Sequence, residues 1–114
     1  MPRVTKKISS FTQSEITKLL STAKVRGRIP GLRILAASPS LSSVHGRILI
    51  ITPRRSGNSP ERNLIRRRLK SIFIEDELSQ KNIDLVVIVR REGIDTSFGT
   101  LKKLLHRVCN SFSS

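Results

Sequence analysis

Seven basic side chains and one acid lie between Arg54 and Lys70, and their spacing suits the binding of phosphate groups. At 100° per residue, one helix face carries Asn63, Arg66, Arg67 and Lys70. Acidic partners at i+4 cannot neutralise this face, because Glu61 is the only acid in the segment. A guanidinium binds phosphate oxygens in bidentate fashion or stacks on a base. The pattern therefore predicts a helix that binds nucleic acid.

Further side chains extend this candidate site. Arg62 and Arg68 fall near the borders of the basic face, and Asn63 offers a donor and an acceptor to a base or ribose. Arg54 and Arg55 precede the helix, where the free N–H groups of a helix N-terminus attract anions. A merely solvated helix face is the alternative. The one-sided charge and the adjoining loop arginines favour binding.

The charge of the whole chain supports the same hypothesis. Its 114 residues carry a formal net charge of +14, and a polyanionic partner relieves their self-repulsion. We therefore expect RNA or DNA as partner; a cationic surface without function and an anionic membrane are the alternatives. The longest apolar runs, 48–51 and 85–89, are too short to cross a bilayer, and no apolar stretch follows the basic N-terminus. We expect a cytoplasmic protein without a membrane partner.

No set of side chains in the sequence suggests catalysis by the protein itself. His45 and His106 stand far apart, and we expect both to be surface or boundary residues. The acidic run 75–77 is typical of a solvated helix end, and Cys109 falls near an apolar stripe where it would fill the core. The sequence therefore predicts neither a catalytic acid and base pair nor a metal site on the protein.

One folded domain is expected over residues 1–114, with 1–10 flexible, because the length suits one core and 37% of the residues are hydrophobic. The first helix is expected at about 13–23. Thr12 and Glu15 have the spacing of a capping box at its start. This helix would present one apolar stripe to the rest of the domain.

The basic helix is expected to begin at Pro60, with Ser59 as its N-cap, and to end near Ile74. Its apolar face is predicted to comprise Leu64, Ile65, Leu69, Ile72 and Phe73. A last helix follows Ser97, its predicted cap. The apolar stripe of that helix is predicted to comprise Phe98, Leu101, Leu104, Leu105 and Val108.

Strands are predicted where β-branched and apolar runs end at turn residues: 32–37, about 47–52 and 84–89, with a short edge strand at 24–28. The order αβββαβα indicates an α+β fold, a compact α/β sandwich. We expect a four-stranded, mostly antiparallel sheet. The three helices should pack around one shared apolar surface, because each has an amphipathic stripe to bury.

The spacing of the basic segment closely resembles the signature of the bacterial ribonuclease P protein component. In that family two basic residues precede a Gly-Asn pair, and an Arg-Asn pair opens a basic helix. The matching residues here are Arg54, Arg55, Gly57, Asn58, Arg62, Asn63, Arg66, Arg67, Arg68, Lys70 and Phe73. The similarity covers about 47–108, including the strand run 84–89 and the helix start at 96–98.

The resemblance implies the protein subunit of ribonuclease P, with the ribonuclease P RNA and precursor tRNA as partners. In this family the RNA subunit, with Mg²⁺ bound mainly by the RNA, hydrolyses precursor tRNA to remove its 5′ leader. The isolated protein is then expected to be inactive. A left-handed crossover between the strands that flank the basic helix is also implied. The implied RNA-binding residues are Arg54, Arg55, Asn58, Arg62, Asn63, Arg66, Arg67, Arg68 and Lys70.

The chain departs from the family pattern in two regions. Ser71 and Ile74 stand where the family often has Glu and Arg. The family usually carries aromatic side chains on helix 1 and its adjoining strand, near the substrate leader, and the counterparts here are Ile16, Leu20 and Leu32. A small basic ribosomal or other RNA-scaffold protein is the alternative function. A nuclease acting alone is disfavoured by the lack of catalytic residues.

Overall fold

A computed structural model describes residues 11–38, 46–81 and 83–113 of the chain. In this part the helices and strands are α1 (Gln13–Thr22), β1 (Lys24–Ile29), β2 (Leu32–Ala37), β3 (Arg47–Ile51), α2 (Ser59–Glu75), β4 (Asp84–Val89) and α3 (Phe98–Ser113). The predicted order αβββαβα is confirmed, and the observed boundaries lie close to the predicted ones. The expectations for residues 1–10 and for His45 concern positions outside the described residues.

The four strands form one mixed sheet in the order β1-β2-β4-β3. Strand β2 pairs antiparallel with both β1 and β4, while β3 pairs parallel with β4. The predicted central place of β4 is confirmed. Helix α2 connects the two parallel strands, as the resemblance implies. The left-handedness of this crossover stays a prediction. Strand β3 is an edge strand, and its residues 48–50 line a cleft together with Arg66 and Lys70 of α2.

Both faces of the sheet are apolar, and the helices divide between them. Alternate residues of β2 and β4, such as Ile34 and Val87, pack with α2 and α3 in the larger core. The residues between them, such as Val86 and Ala37, pack with Leu19 of α1 on the other face. The prediction that all three helices share one apolar surface is therefore wrong. A strand that is apolar on both sides needs a covering layer on each.

Capping boxes begin both α1 and α2. Thr12 Oγ1 accepts from the Glu15 N–H at 3.2 Å, as predicted. The N-cap of α2, however, is Asn58 rather than the predicted Ser59: Asn58 Oδ1 accepts from the Glu61 N–H at 2.9 Å. Both residue types are good caps, but only Asn58 has a Glu three residues later that can complete the box. Ser97 caps α3 as predicted, since its Oγ accepts the Thr100 N–H at 3.2 Å.

Two residues of the predicted apolar stripes lie on the surface. Leu64 on α2 is 39% exposed and Phe98 at the start of α3 is 40% exposed. Leu64 is rotated about 100° from its buried neighbour Ile65, which carries it past the edge of the packed stripe. Phe98 occupies the first turn of α3, before the stripe meets the core. None of the described helices combines the length and apolar character that crossing a membrane requires.

Candidate nucleic-acid interface

The outer face of α2 carries the predicted basic residues and lies beside the free edge of β3. Asn63 and Arg67 are exposed, whereas Arg66 and Lys70 are half-buried. Arg66 and Lys70 line a small cleft of ≈ 180 Å³ with residues 48–50 of β3. None of the ion pairs in the described part of the chain involves these cations. Their charge is therefore available to an anion from outside.

Two of the predicted RNA contacts already have partners within the chain. Arg62 Nε donates to the Gly57 carbonyl at 3.1 Å, and Nη2 donates to Ser59 Oγ at 3.2 Å. Asn58 uses its side-chain oxygen as the cap of α2. Both residues therefore shape the loop that leads into the helix. Arg68 is half-buried at the border of the basic face, as the helix projection predicts.

The loop before α2 forms one wall of a polar cleft of ≈ 500 Å³. The charged groups that line it are Arg54, Arg55, Arg91, Glu61 and Asp95. The Glu61 carboxylate already accepts the Asn58 N–H at 2.9 Å, which reduces its effect on an incoming anion. The cleft combines three guanidinium groups with the N-terminus of a 17-residue helix. Such an arrangement attracts phosphate.

A second basic surface lies on the sheet, and the sequence reasoning missed it. Arg28 pairs with Arg33 across the β1–β2 hairpin, and Arg33 pairs with Ile88 of β4. Residues that pair across strands share a face, so the three side chains lie in one row. Together with Arg90 they line a cleft of ≈ 370 Å³. All three arginines are exposed.

The hairpin turn that brings these arginines together depends on Gly31. Its φ is +77°, and a Cβ at this position would overlap the backbone of Gly93. The Gly31 carbonyl also accepts the Arg90 N–H at 2.8 Å. Pro30 and Gly31 between two strand runs are a sequence signal for a tight turn, from which the pairing of Arg28 with Arg33 follows. The place of Arg90 depends on the pairing of β4 with β2, which no local pattern reveals.

Helix α1 crosses one end of this sheet face. Its first turn contacts Arg47 of edge strand β3, and the chain continues from its last turn into β1 at the opposite edge. The row of Arg28, Arg33 and Ile88 stays exposed or half-buried beside the helix. Ile88 of this row packs against the apolar cluster that contains Leu19 of α1. We call the open part of this sheet face, between α1 and the row, the sheet groove.

Only two of the three counterparts of the family's aromatic residues are on this side of the sheet. Ile16 and Leu20 lie on α1, where Ile16 is half-buried and Leu20 is 43% exposed. Leu32 is buried in the core with α2 and α3. Its assignment to the leader region is wrong, because successive strand residues take opposite faces and Arg33 occupies the open one.

A charge cluster lies under the first turn of α1, with Arg47 at its centre. Arg47 Nη1 donates to Glu15 Oε2 at 3.2 Å, and Nη2 lies 3.6 Å from Asp84 Oδ2. The backbone N–H of Arg47 donates to Asp84 Oδ1 at 3.1 Å. Burial raises the pKa of Asp84 above its usual value, although Arg47 opposes the shift. The backbone N–H of Thr12 lowers the pKa of Glu15, and the Arg47 guanidinium lowers it further.

Outside the two basic surfaces, Asp76 joins the end of α2 to the middle of α3. Its Oδ2 lies 2.6 Å from His106 Nε2 and 3.6 Å from Lys102 Nζ on α3. The hydrogen bond with His106 lowers the pKa of Asp76. The expectation of a merely solvated acidic run is therefore wrong for Asp76, because α3 packs beside the end of α2. Cys109 is buried in the core, as predicted.

The chemistry that these residues support is anion binding. Within residues 11–38, 46–81 and 83–113, no group of three or more His, Cys, Asp or Glu side chains could hold a metal ion. Glu61, the one acid in the basic segment, is engaged in the cap of α2.

Comparisons with known proteins extend over almost the whole chain. A family model described as Ribonuclease P matches residues 5–113. A ribonuclease P protein component from Ureaplasma parvum is 31% identical over 97 residues, which cover 81% of this chain and 86% of the relative. The match to the family model includes the entire basic segment of α2 and its loop.

Solved structures of similar proteins share the fold. An RNase P protein from Thermotoga maritima aligns with a TM-score of 0.72 and 17% identity, covering 90% of this chain and 96% of that one. A Staphylococcus aureus RNase P protein mutant, described as defective in mRNA degradation activity, aligns with a TM-score of 0.75 and 16% identity. That alignment covers 96% of this chain and 91% of the other.

Proposed function

This chain belongs to the ribonuclease P protein family, and from that membership we propose that it binds the catalytic RNA of a ribonuclease P ribonucleoprotein. In this role it helps to hold precursor tRNA while the 5′ leader is removed. The observation that carries the proposal is the basic face of α2, whose central cations have no acidic partner within the described residues. The sequence matches to ribonuclease P proteins also remove the grounds for the ribosomal alternative.

The proposed RNA contacts differ in their roles. Arg66 and Arg67 form the centre of the face, with Asn63 and Lys70 beside them and Arg68 at the border. Arg54 and Arg55 extend the contact toward the helix N-terminus. Arg62 and Asn58 hold the loop in place and complete the surface. Each phosphate that these cations neutralise releases condensed counterions, which drives binding at moderate salt.

The basic surface helps because catalytic RNA and precursor tRNA repel each other. A protein with a net charge of +14 between two polyanions screens that repulsion and strengthens substrate binding. The RNA would supply the hydrolytic site and would bind the Mg²⁺, which would contribute Lewis-acid chemistry there. The proposal assigns the Mg²⁺ to the RNA and gives the protein residues the task of binding the two RNA molecules. We place this activity in the cytoplasm.

The sheet groove is the proposed place of the single-stranded 5′ leader. It lies on the opposite side of the sheet from α2, so the protein can contact two RNA segments at once. The chain has no Trp, no Tyr and only four Phe, so it has few aromatic platforms for bases. Arg28, Arg33 and Arg90 can replace them in part, because a guanidinium stacks on a base and also neutralises phosphate.

Reconstitution of precursor-tRNA cleavage tests the proposed function. The protein is mixed with the ribonuclease P RNA of its own cell, and cleavage is measured across a Mg²⁺ titration. We expect the protein to restore cleavage at Mg²⁺ concentrations where the RNA alone is inactive. The double variant Arg66→Ala/Arg67→Ala should need more Mg²⁺ or more protein for the same rate.

The control is Lys103→Ala/Arg107→Ala, which removes two exposed cations from α3 and should behave like the parent. Protein without RNA should cleave neither precursor tRNA nor an unstructured mRNA. The mRNA is included because one of the similar structures is an S. aureus RNase P protein mutant with defective mRNA degradation activity. Cleavage by the protein alone, or equal Mg²⁺ dependence of RNA with and without the protein, would overturn the proposal.

A further inference from the structure

The apolar cluster that holds helix α1 on the sheet is smaller than the core on the other face. Leu19 is the one side chain of the helix that is buried, and it packs against Ala37 and Val86. By contrast, α2 buries four side chains in the larger core. Polar contacts therefore have a larger share in determining where α1 lies on the sheet face than they have for α2.

Arg47 supplies the polar contacts that fix α1. Its guanidinium bridges Glu15 of α1 and Asp84 of β4, and it lies 4.3 Å from the ring centroid of Phe11, just before the helix. The two carboxylate oxygens of Glu15 accept different hydrogen bonds. Oε1 accepts the Thr12 N–H at 2.8 Å in the capping box, and Oε2 accepts from Arg47. The start of α1 is thus tied to the sheet at one defined point.

The side chain of Arg47 is only 10% exposed, and that of Asp84 only 2%. Ion pairs at such sites lose much of their Coulombic gain to desolvation, so their net contribution to stability is small. Their directional bonds restrict geometry more than apolar contacts do. A single well-oriented guanidinium can therefore set the position of a loosely packed helix.

We propose that Arg47 is a positioning residue: its bridge from Asp84 to Glu15 holds α1 at the edge of the sheet groove and so sets the groove's width for single-stranded RNA. This inference rests on the proposed function, because it takes the 5′ leader as the occupant of the groove. It assigns to Arg47 an effect on leader binding and none on the contact between α2 and the catalytic RNA, since that contact lies on the other side of the sheet.

The variant Glu15→Gln separates positioning from capping. Glutamine retains the side-chain oxygen that closes a capping box, but it has no charge to pair with Arg47. The matched control is Glu77→Gln, which removes one exposed carboxylate at the far end of α2. Removing a negative charge reduces the repulsion of RNA and should raise the affinity for any RNA. Weaker leader binding by Glu15→Gln would therefore not be explained by the change in charge.

The readout is the affinity of the reconstituted holoenzyme for precursor tRNA with a leader, divided by its affinity for mature tRNA. We expect Glu15→Gln to lower this ratio by about two- to fivefold, because α1 loses its fixed place at the edge of the groove. The affinity of the protein for the catalytic RNA should stay close to that of the parent. The melting temperature should also stay close, because Arg47 remains paired with Asp84 when residue 15 is neutral. Glu77→Gln should leave all three quantities unchanged.

Each outcome decides between the two claims. A parent ratio above one that Glu15→Gln leaves unaltered would overturn the positioning role and leave the proposed function intact. A parent ratio of one would refute leader binding, and the inference would fail with it. If Glu15→Gln also weakened the contact with catalytic RNA, its effect would be general misfolding, and the positioning role would be wrong.

Discussion

Leu69 lies in the core between α2 and the sheet, and none of its surface is exposed. The change Leu69→Ala should lower the free energy of unfolding by about 2 to 5 kcal/mol, because it removes buried methyl groups and leaves a cavity. Leu64→Ala is the matched control, since Leu64 is on the same helix and 39% exposed. Leu64→Ala should lower the free energy of unfolding by well under half as much as Leu69→Ala. Urea unfolding of both variants measures the difference, and equal losses would contradict the burial of the α2 stripe.

Asp76 should make stability depend on pH in the acid range. Its hydrogen bond with His106 lowers its pKa in the folded protein. A lowered carboxyl pKa means that the stabilisation is present above the usual value of 3.8 and is lost as the pH falls through the lowered folded value. The parent should therefore melt higher than Asp76→Asn near pH 6, and the gap should close as the pH falls below 3.8 and through the lowered folded value. A gap that persists or widens in acid would refute the contact.

At the scale of the element, the cap of α2 gives a direct test of where the helix begins. Asn58→Ala removes the oxygen that accepts the Glu61 N–H and should cost about 0.5 to 2 kcal/mol of stability. Ser59→Ala loses only a bond from Arg62 to an exposed hydroxyl and should cost less than about 0.5 kcal/mol. Thermal or urea unfolding compares the two. A larger loss from Ser59→Ala would restore Ser59 as the N-cap.

Local sequence patterns predict the helices and strands of this protein well, because the residues that specify each helix or strand lie within it or next to it. The capping box at Thr12 and Glu15 and the alternation of apolar residues act within a few residues of the structure they specify. The side of the sheet on which α1 packs is a different kind of property. Strands β2 and β4 are apolar on both faces, so periodicity alone cannot say which helix covers which face.

In the candidate site, too, some features follow from local sequence patterns and others depend on the tertiary fold. Projection of α2 at 100° per residue is enough to predict that Asn63 and Arg67 are exposed and that Leu69 is buried. The half-buried state of Arg66 and Lys70 depends on β3, which lies beside them only because it is an edge strand. The row of Arg28 and Arg33 depends on cross-strand register, and Arg90 joins it through the fold as a whole.

At the scale of the whole molecule, two basic surfaces lie on opposite sides of one sheet. The α2 face adjoins the edge strand β3, and the sheet groove lies beside α1 on the other side. Under the proposed function, this arrangement would let a small protein bind a folded RNA and a single strand at the same time. The two basic surfaces carry part of the net charge of +14.

The central claim is that the α2 face binds RNA through its cations, and salt titration of RNA binding tests it most directly. Arg66→Ala and Arg67→Ala should each weaken binding to the catalytic RNA. Each should make the slope of log affinity against log salt less steep by about 0.7 to 0.9 per lost phosphate contact. Lys103→Ala and Arg107→Ala on α3 should leave the slope unchanged, and melting curves should confirm that all four variants fold. If Arg66→Ala and Arg67→Ala both bind like the parent with an unaltered slope, the α2 face is only solvated, and the account is wrong.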